Sequence, residues 1–482
     1  MKYLYTLLFF VLLVSACKTH HSGTTRRYHS GDKSDSLVIR KIYDEALSNG
    51  ESYQNLRYLC KSIGARVSGS SQAEKAVEWG KKVMEKMGCD KVFLQPVMVP
   101  HWVRGDVEEA VIVSDKKQIA LALDICALGN SVGTDGKGIQ AKVVIVNNFE
   151  ELKSLGKAKI QGKIVFFNRP MNEKLISTFH AYGGCVNQRV SGASQAAQYG
   201  ALAVLVRSMT LHKDDFAHTG VLHYEDTLAK IPAAALSLNS ADALQNRLQK
   251  EPELEVYLNL SCKMLPDVQS YNVVGEITGS KYPNKYIAVG GHLDSWDKGE
   301  GAHDDGAGIV QSMEVLRIMK GMGYKPRHTI RAVLFMNEEN GAKGAEKYEQ
   351  EAALNKCFHL FAIESDAGGF TPRGFSVDGD STVVEQVQAW SNLLAPYGLH
   401  ELEAGGSGVD VGPLKKQGTI VMGYRPDSQR YFDHHHADSD VFEAVHQREL
   451  ELGGASMAAL VYLLDKYFDE SPLKLPKPNA KQ

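Results

Sequence analysis

The stretch Tyr286-Ile-Ala-Val-Gly-Gly-His-Leu-Asp-Ser-Trp-Asp-Lys-Gly-Glu-Gly-Ala-His-Asp-Asp-Gly-Ala-Gly-Ile-Val310 decides how the chain is read. Residues 286–289 form an apolar run suited to a buried strand, and the run stops at Gly290-Gly291. His292 and Asp294 follow two residues apart, a spacing that points both to one side of an extended chain. After a polar loop come Asp304 and Asp305, and then Gly306 and Gly308 open an apolar helix. Open parallel sheets place ligands beyond the carboxyl ends of their strands, which is where these acids and this imidazole stand. Taken alone, the stretch also fits a polar loop with solvated carboxylates and a surface histidine.

Two further strands repeat the arrangement. Residues 329–336 are apolar and end in Asn337-Glu338-Glu339-Asn340-Gly341, and residues 358–363 end in Glu364-Ser365-Asp366-Ala367-Gly368-Gly369. Further on, Tyr431-Phe432-Asp433-His434-His435-His436-Ala437-Asp438 supplies imidazoles. Histidine and carboxylate side chains gathered on one sheet edge are the donor set of a divalent metal such as zinc.

With these motifs the sequence resembles the dinuclear zinc exopeptidases that include aminopeptidase Y, the bacterial leucyl aminopeptidases and glutamate carboxypeptidase. It stands nearest their plasma glutamate carboxypeptidase branch. The likeness extends over nearly all of the chain after about residue 37. It implies an α/β fold, with a mixed, largely parallel sheet sandwiched by helices and an inserted protease-associated β/α domain. It also implies two Zn2+ per chain, with Asp304 shared, His292 and Asp366 completing one site, and Glu339 and His434 completing the other. The residues supply the ligand types but not this pairing. By the same likeness Glu338 is the general base, taking a proton from a metal-bridging water and passing it to the leaving amine. Asp294 would accept a hydrogen bond from the His292 ring and fix its tautomer. A cis peptide is implied between Asp304 and Asp305. His436, or His435 beside it, is a candidate oxyanion contact, and Gly406 and Asp410 lie in a glycine-rich loop where relatives approach substrate. The function implied is zinc-dependent hydrolysis of dipeptides or short peptides with a free terminus. Two alternatives keep the fold: a one-zinc glutaminyl cyclase-like enzyme, and a receptor-like binding protein. The resemblance also implies a homodimer.

Outward from this core, 482 residues exceed one ordinary hydrophobic core, and 43% hydrophobic content excludes a disordered chain. A net charge of -3 without a long basic run argues against nucleic acid as a partner. Residues 1–17 begin with Lys2, continue through a short apolar run and close on Ser15-Ala16-Cys17. The run is too short to span a bilayer and resembles a lipoprotein signal, with Cys17 as the lipidated residue. The expectation is an exported bacterial lipoprotein, anchored through its N-terminal lipid and facing the periplasm or cell surface. Residues 18–36 read as a flexible tether. Residues 37–117 and 263–475 are assigned to the catalytic domain, and 118–262 to the insert, where short β-type runs alternate with glycines. The insert's His180, His212, His218 and His223 are isolated and read as surface residues. Of seven cysteines, Cys60, Cys89, Cys126, Cys185, Cys262 and Cys357 remain after Cys17. They are scattered, form no Cys-x-x-Cys, and read mostly as buried thiols.

Overall fold

The computed structural model describes residues 28–113 and 120–469. Cys17, the expected signal and the first part of the tether lie outside these residues. The tether ends earlier than position 36: the helix Lys33–Asn49 is already under way there, capped by Asp32 in a reciprocal arrangement with Asp35. No described helix is long and apolar enough to cross a membrane.

One eight-stranded sheet carries the motif-bearing strands, in the spatial order Lys91–Val103, Lys263–Ile277, His328–Phe335, Tyr282–His292, Phe358–Glu364, Ile420–Pro426, Pro372–Asp378 and Glu401–Ala404. The four inner strands, from His328–Phe335 to Ile420–Pro426, run parallel. Antiparallel strands flank them on both sides. Alternation of side chains divides the inner strands between two cores. Ile287, Val289, Ile330, Leu334, Phe361 and Ile363 face the helices Ala307–Gly321 and Gln447–Tyr467. Ala288, Val333, Phe335 and Ala362 face Ala345, Tyr348 and Ala352 of the helix Lys343–Leu354. Arg331 is the charged exception within a wholly buried strand, and it is paired with Glu276 directly across the neighbouring strand.

The helix Gln447–Tyr467 runs unbroken through Gly453 and Gly454 because it crosses Ala307–Gly321 closely there. A methyl group on either glycine would meet Gln311 or Glu314. Between residues 381 and 394 the chain forms two short helices, Ser381–Gln388 and Ser391–Leu394.

A second eight-stranded sheet is built from strands between Glu108–Val113 and Glu255–Leu260. Separate apolar clusters cover its two faces. The chain passes into it between Val103 and Glu108, not at 118. Glu108–Val113 has the same strand composition as the residues before it, so composition alone places the step too late. The two sheets are joined at the edge of the motif-bearing loops. There Arg104 holds Asp297 through two bonds of 3.0 and 2.6 Å, and Trp102 lies edge-on to Trp296 at 6.0 Å between centroids. All six described cysteines are free thiols, four of them buried.

Candidate metal centre

His292 is the last residue of the central strand, and burial leaves it 1% exposed. Its Nδ1 faces the Asp294 main-chain carbonyl at 2.9 Å, so the proton belongs on Nδ1 and the Nε2 lone pair is presented to the site. From Nε2, Asp304 Oδ1 lies at 3.2 Å and Asp366 Oδ1 at 3.6 Å. The other oxygen of Asp304 is 3.2 Å from His436 Nε2, and Glu339 Oε2 is 3.1 Å from the same nitrogen. Asp304 therefore stands between two half-sites, one oxygen toward each. The Asp304–Asp305 peptide is cis.

These groups fit a bound cation. Asp304 Oδ2 and Asp366 Oδ1 are buried without a hydrogen-bond partner, a costly state that a metal would relieve. His292, Asp304 and Asp366, and likewise Asp304, His435 and His436, present donor atoms within 4.8 Å of one another. Only His436 of the second group also touches Glu339, while His435 stacks on it at 3.5 Å and keeps its Nε2 3.7 Å from Asp304.

His434 is not brought to this cluster. The short helix Tyr431–His434 ends on it, its Nδ1 faces Ser439 O at 3.1 Å, and its ring stacks on His303. The chain then turns through His436 at a left-handed φ of 65°, which aims the third histidine inward. His436 thus occupies the position expected of His434. Asp294 also differs from expectation. Its carboxylate is 3.9 Å from the His292 ring and instead accepts the amides of Asn337, Glu338 and Glu339 at 2.7, 3.1 and 3.3 Å. It shapes the loop that carries both glutamates. Glu338 reaches to 4.0 Å from His292 Nε2. Asp410 is buried, whereas Gly406 lies on an exposed loop, where its carbonyl accepts from Ser376 Oγ at 2.6 Å.

The Peptidase family M28 model matches residues 272–461, a span that holds every group of this cluster. Carboxypeptidase Q of Bos taurus is 34% identical over 436 residues, covering 90% of this chain and 89% of the relative. The chain belongs to peptidase family M28 and is a metallopeptidase. Carboxypeptidase Q of Homo sapiens is likewise 34% identical over 434 residues, covering 90% of this chain and 89% of its own. Among solved structures, a peptidase M28 precursor from Shewanella amazonensis SB2B superposes with a TM-score of 0.87 at 30% identity, covering 94% of this chain and all of its own. BSAP, a zinc aminopeptidase from Bacillus subtilis, shares the fold with a TM-score of 0.61 at 19% identity, covering 87% and 96%.

The electrostatics of this M28 peptidase follow from burial. Burial opposes a positive charge on His292 and His436, but the surrounding carboxylates prevail: His292 is held well above the usual imidazole range and His436 is pushed up to about 9. Burial likewise disfavours ionised Asp304, yet the neighbouring imidazoles of His292 and His436 hold it well below the usual range. Burial pushes Glu338 well above the carboxyl range, with His292 opposing and the charges of Asp366, Glu339 and Asp304 adding to the rise. Protons on the two Nε2 atoms occupy the places of cations, so metal uptake releases them and is favoured as pH rises.

Several supporting residues carry no sequence signal of their role. Asp440 accepts the amides of His303 and Asp304 at 2.7 and 3.1 Å. The neighbouring Asp438 pairs instead with Lys298. From the second sheet unit, Thr219 O faces His436 Nδ1 at 3.2 Å and so leaves that ring's Nε2 free for metal. His218, read from sequence as a surface residue, is 2% exposed and bonds the His435 carbonyl at 2.7 Å. His180, His212 and His223 are exposed as expected.

Arg66 is fully buried and donates to the carbonyls of Leu293, Glu300 and Gly301 at 2.6, 2.8 and 3.0 Å, tying down both ends of the loop between His292 and Asp304. Replacing it by Met is expected to cost about 3 kcal/mol or more, since three carbonyls lose their donor at about 1–3 kcal/mol each. Urea unfolding measures this directly, and an unchanged midpoint would show that the loop does not depend on Arg66.

Proposed function

We propose that this M28 peptidase is a zinc-dependent exopeptidase that hydrolyses dipeptides or short peptides and holds two zinc ions per chain. The observation that carries the reading is Asp304, which offers one oxygen to the His292 and Asp366 side and the other to the His436 and Glu339 side. His292 and Asp366 would hold one ion, Glu339 and His436 the other, and Asp304 both. When bound, such ions supply an acidified water and a Lewis acid for the scissile carbonyl. The chain's own residues do the rest. Glu338 takes the proton of the attacking water and returns it to the leaving amine nitrogen. Asp294 keeps Glu338 and Glu339 in place by gathering their amides, and Asp440 does the same for Asp304.

Two further acids favour a substrate with a free amino terminus. Asp410 is 1% exposed, with neither carboxylate oxygen hydrogen-bonded, and Glu364 Oε1 is buried in the same condition. Val411 N donates to the other oxygen of Glu364 at 2.8 Å, so Asp410 lies beside the strand end that leads to Asp366. An α-ammonium group would satisfy these oxygens. N-acetylation is therefore expected to lower kcat/KM of a short peptide by about 30-fold or more, since it removes the charge such a pocket is built to receive. Rates of zinc-loaded protein on matched free and acetylated dipeptides, and on longer peptides, test the reading. Equal rates on the free and blocked forms would refute recognition of the amino terminus.

A further inference from the structure

One arginine at the crossing between the two sheet units braces both the Glu339 and the His436 side of the metal cluster. Arg104 directly follows the strand Lys91–Val103, where the chain leaves the catalytic sheet for the second unit. Its side chain is 10% exposed. Nε and Nη2 grip the two oxygens of Asp297, which belongs to the catalytic unit. The other partners belong to the second unit. Nη2 also donates to Thr219 Oγ1 at 3.3 Å, and Nη1 donates to the Ala127 carbonyl at 2.7 Å and to Glu108 at 2.8 Å. Thr219 Oγ1 donates to the same Ala127 carbonyl at 2.9 Å. A planar guanidinium can hold a carboxylate through two nitrogens and still donate to further oxygens.

Asp297 and Thr219 each stand next to a metal-ligating side chain. The residue before Asp297 is Trp296, whose amide donates to Glu339 Oε1 at 3.2 Å and leaves Oε2 to face His436. Thr219 bonds His436 twice: its amide donates to the His436 carbonyl at 3.0 Å, and its own carbonyl faces the ring Nδ1 at 3.2 Å. The hydrogen bonds around His292 and Asp366 run within the catalytic unit. The His292 amide donates to Asp305 at 3.0 Å, its ring faces the Asp294 carbonyl at 2.9 Å, and the Ser365 amide donates to Gly290 at 2.9 Å.

We propose that Arg104 is a positioning residue for one of the two zinc sites: by joining Asp297 to Thr219 it sets Glu339 against His436, so that docking of the second unit tightens that site and not the His292–Asp366 site. This rests on the two-zinc reading. Arg104 acts only through its partners and takes no part in the proton transfers.

Competition with a graded chelator series on full-length protein gives a dissociation constant for each zinc. Arg104→Met should weaken one zinc by about 10–100-fold, the range that partners orienting a ligand contribute, and leave the other within about threefold. Arg104→Lys should fall between, because a point charge can hold Asp297 without spanning to Thr219. In a His436→Ala background, where only the His292–Asp366 zinc stays tight, adding Arg104→Met should change affinity by less than about threefold, since the two changes act on one site. Should Arg104→Met fail to fold, Asp297→Asn decides: it alters a side chain 28% exposed and should still weaken one zinc selectively, by about 10-fold. Equal weakening of both zinc ions, or of neither, would overturn the proposal and leave Arg104 a purely architectural tie between the units. A further loss of zinc affinity in the His436→Ala background would overturn it as well. A wild-type chain that binds a single zinc would instead sink the two-zinc reading, and this proposal with it.

Discussion

Glu338→Gln is expected to lower kcat by at least about 100-fold, within the range of about 100- to 10,000-fold that positioned general acid–base groups contribute. The substitution keeps the side chain's size and its place on the loop, whose amides remain bonded to Asp294. It removes only the capacity to take a proton. Glu338 belongs to neither donor group that could hold a cation, so zinc content should stay at the wild-type value. The residual activity should also lose its acidic limb. A carboxylate base must be ionised to act, so wild-type turnover falls as pH drops through its pKa, and an amide has no such limb. Steady-state rates across pH, with zinc measured on the same samples, check both points. Near-normal turnover of the variant would remove Glu338 from the mechanism.

Much of the catalytic sheet is legible in the sequence because its central strands are buried on both faces. Such strands read as uninterrupted apolar runs, and the polar residues that break the runs mark their carboxyl ends. His292, Glu338, Glu339, Glu364 and Asp366 stand out for that reason. The rest is hidden for a different physical reason. His434, His435 and His436 lie in a turn, where neither helical nor strand periodicity says which ring faces inward. The left-handed backbone of His436 selects it. Arg66, Asp440 and Thr219 act through main-chain amides and carbonyls, which no side-chain pattern reports. His218 reaches the site from a different sheet, and only the packing of the two units brings it there. The early end of the tether is legible in principle: Asp32 with Asp35 is a helix-start signal, masked by the polar residues around it.

The imidazole assignment has the sharpest consequence for metal content. His436→Ala is expected to weaken one of two zinc sites by more than about 100-fold, since loss of an orienting partner alone costs about 10–100-fold and this change removes a ligand outright. His434→Ala should leave stoichiometry intact and activity within about threefold of wild type, because exposed or half-buried substitutions away from a site have small effects. The contrast follows from geometry. His436 Nε2 is 3.2 Å from Asp304 and 3.1 Å from Glu339, and its other nitrogen is committed to Thr219 O. His434 faces Ser439 and His303 instead. His435 is the informative intermediate: burial and the neighbouring His436 hold it well below the usual imidazole range, so it remains a neutral ring beside Asp304. If it only orders that carboxylate, His435→Ala should lower turnover and keep both metals. Zinc per chain after dialysis against a graded chelator series separates the three variants. Loss of a zinc from His434→Ala, with His436→Ala unaffected, would restore the pairing implied by family likeness and remove His436 from the metal centre.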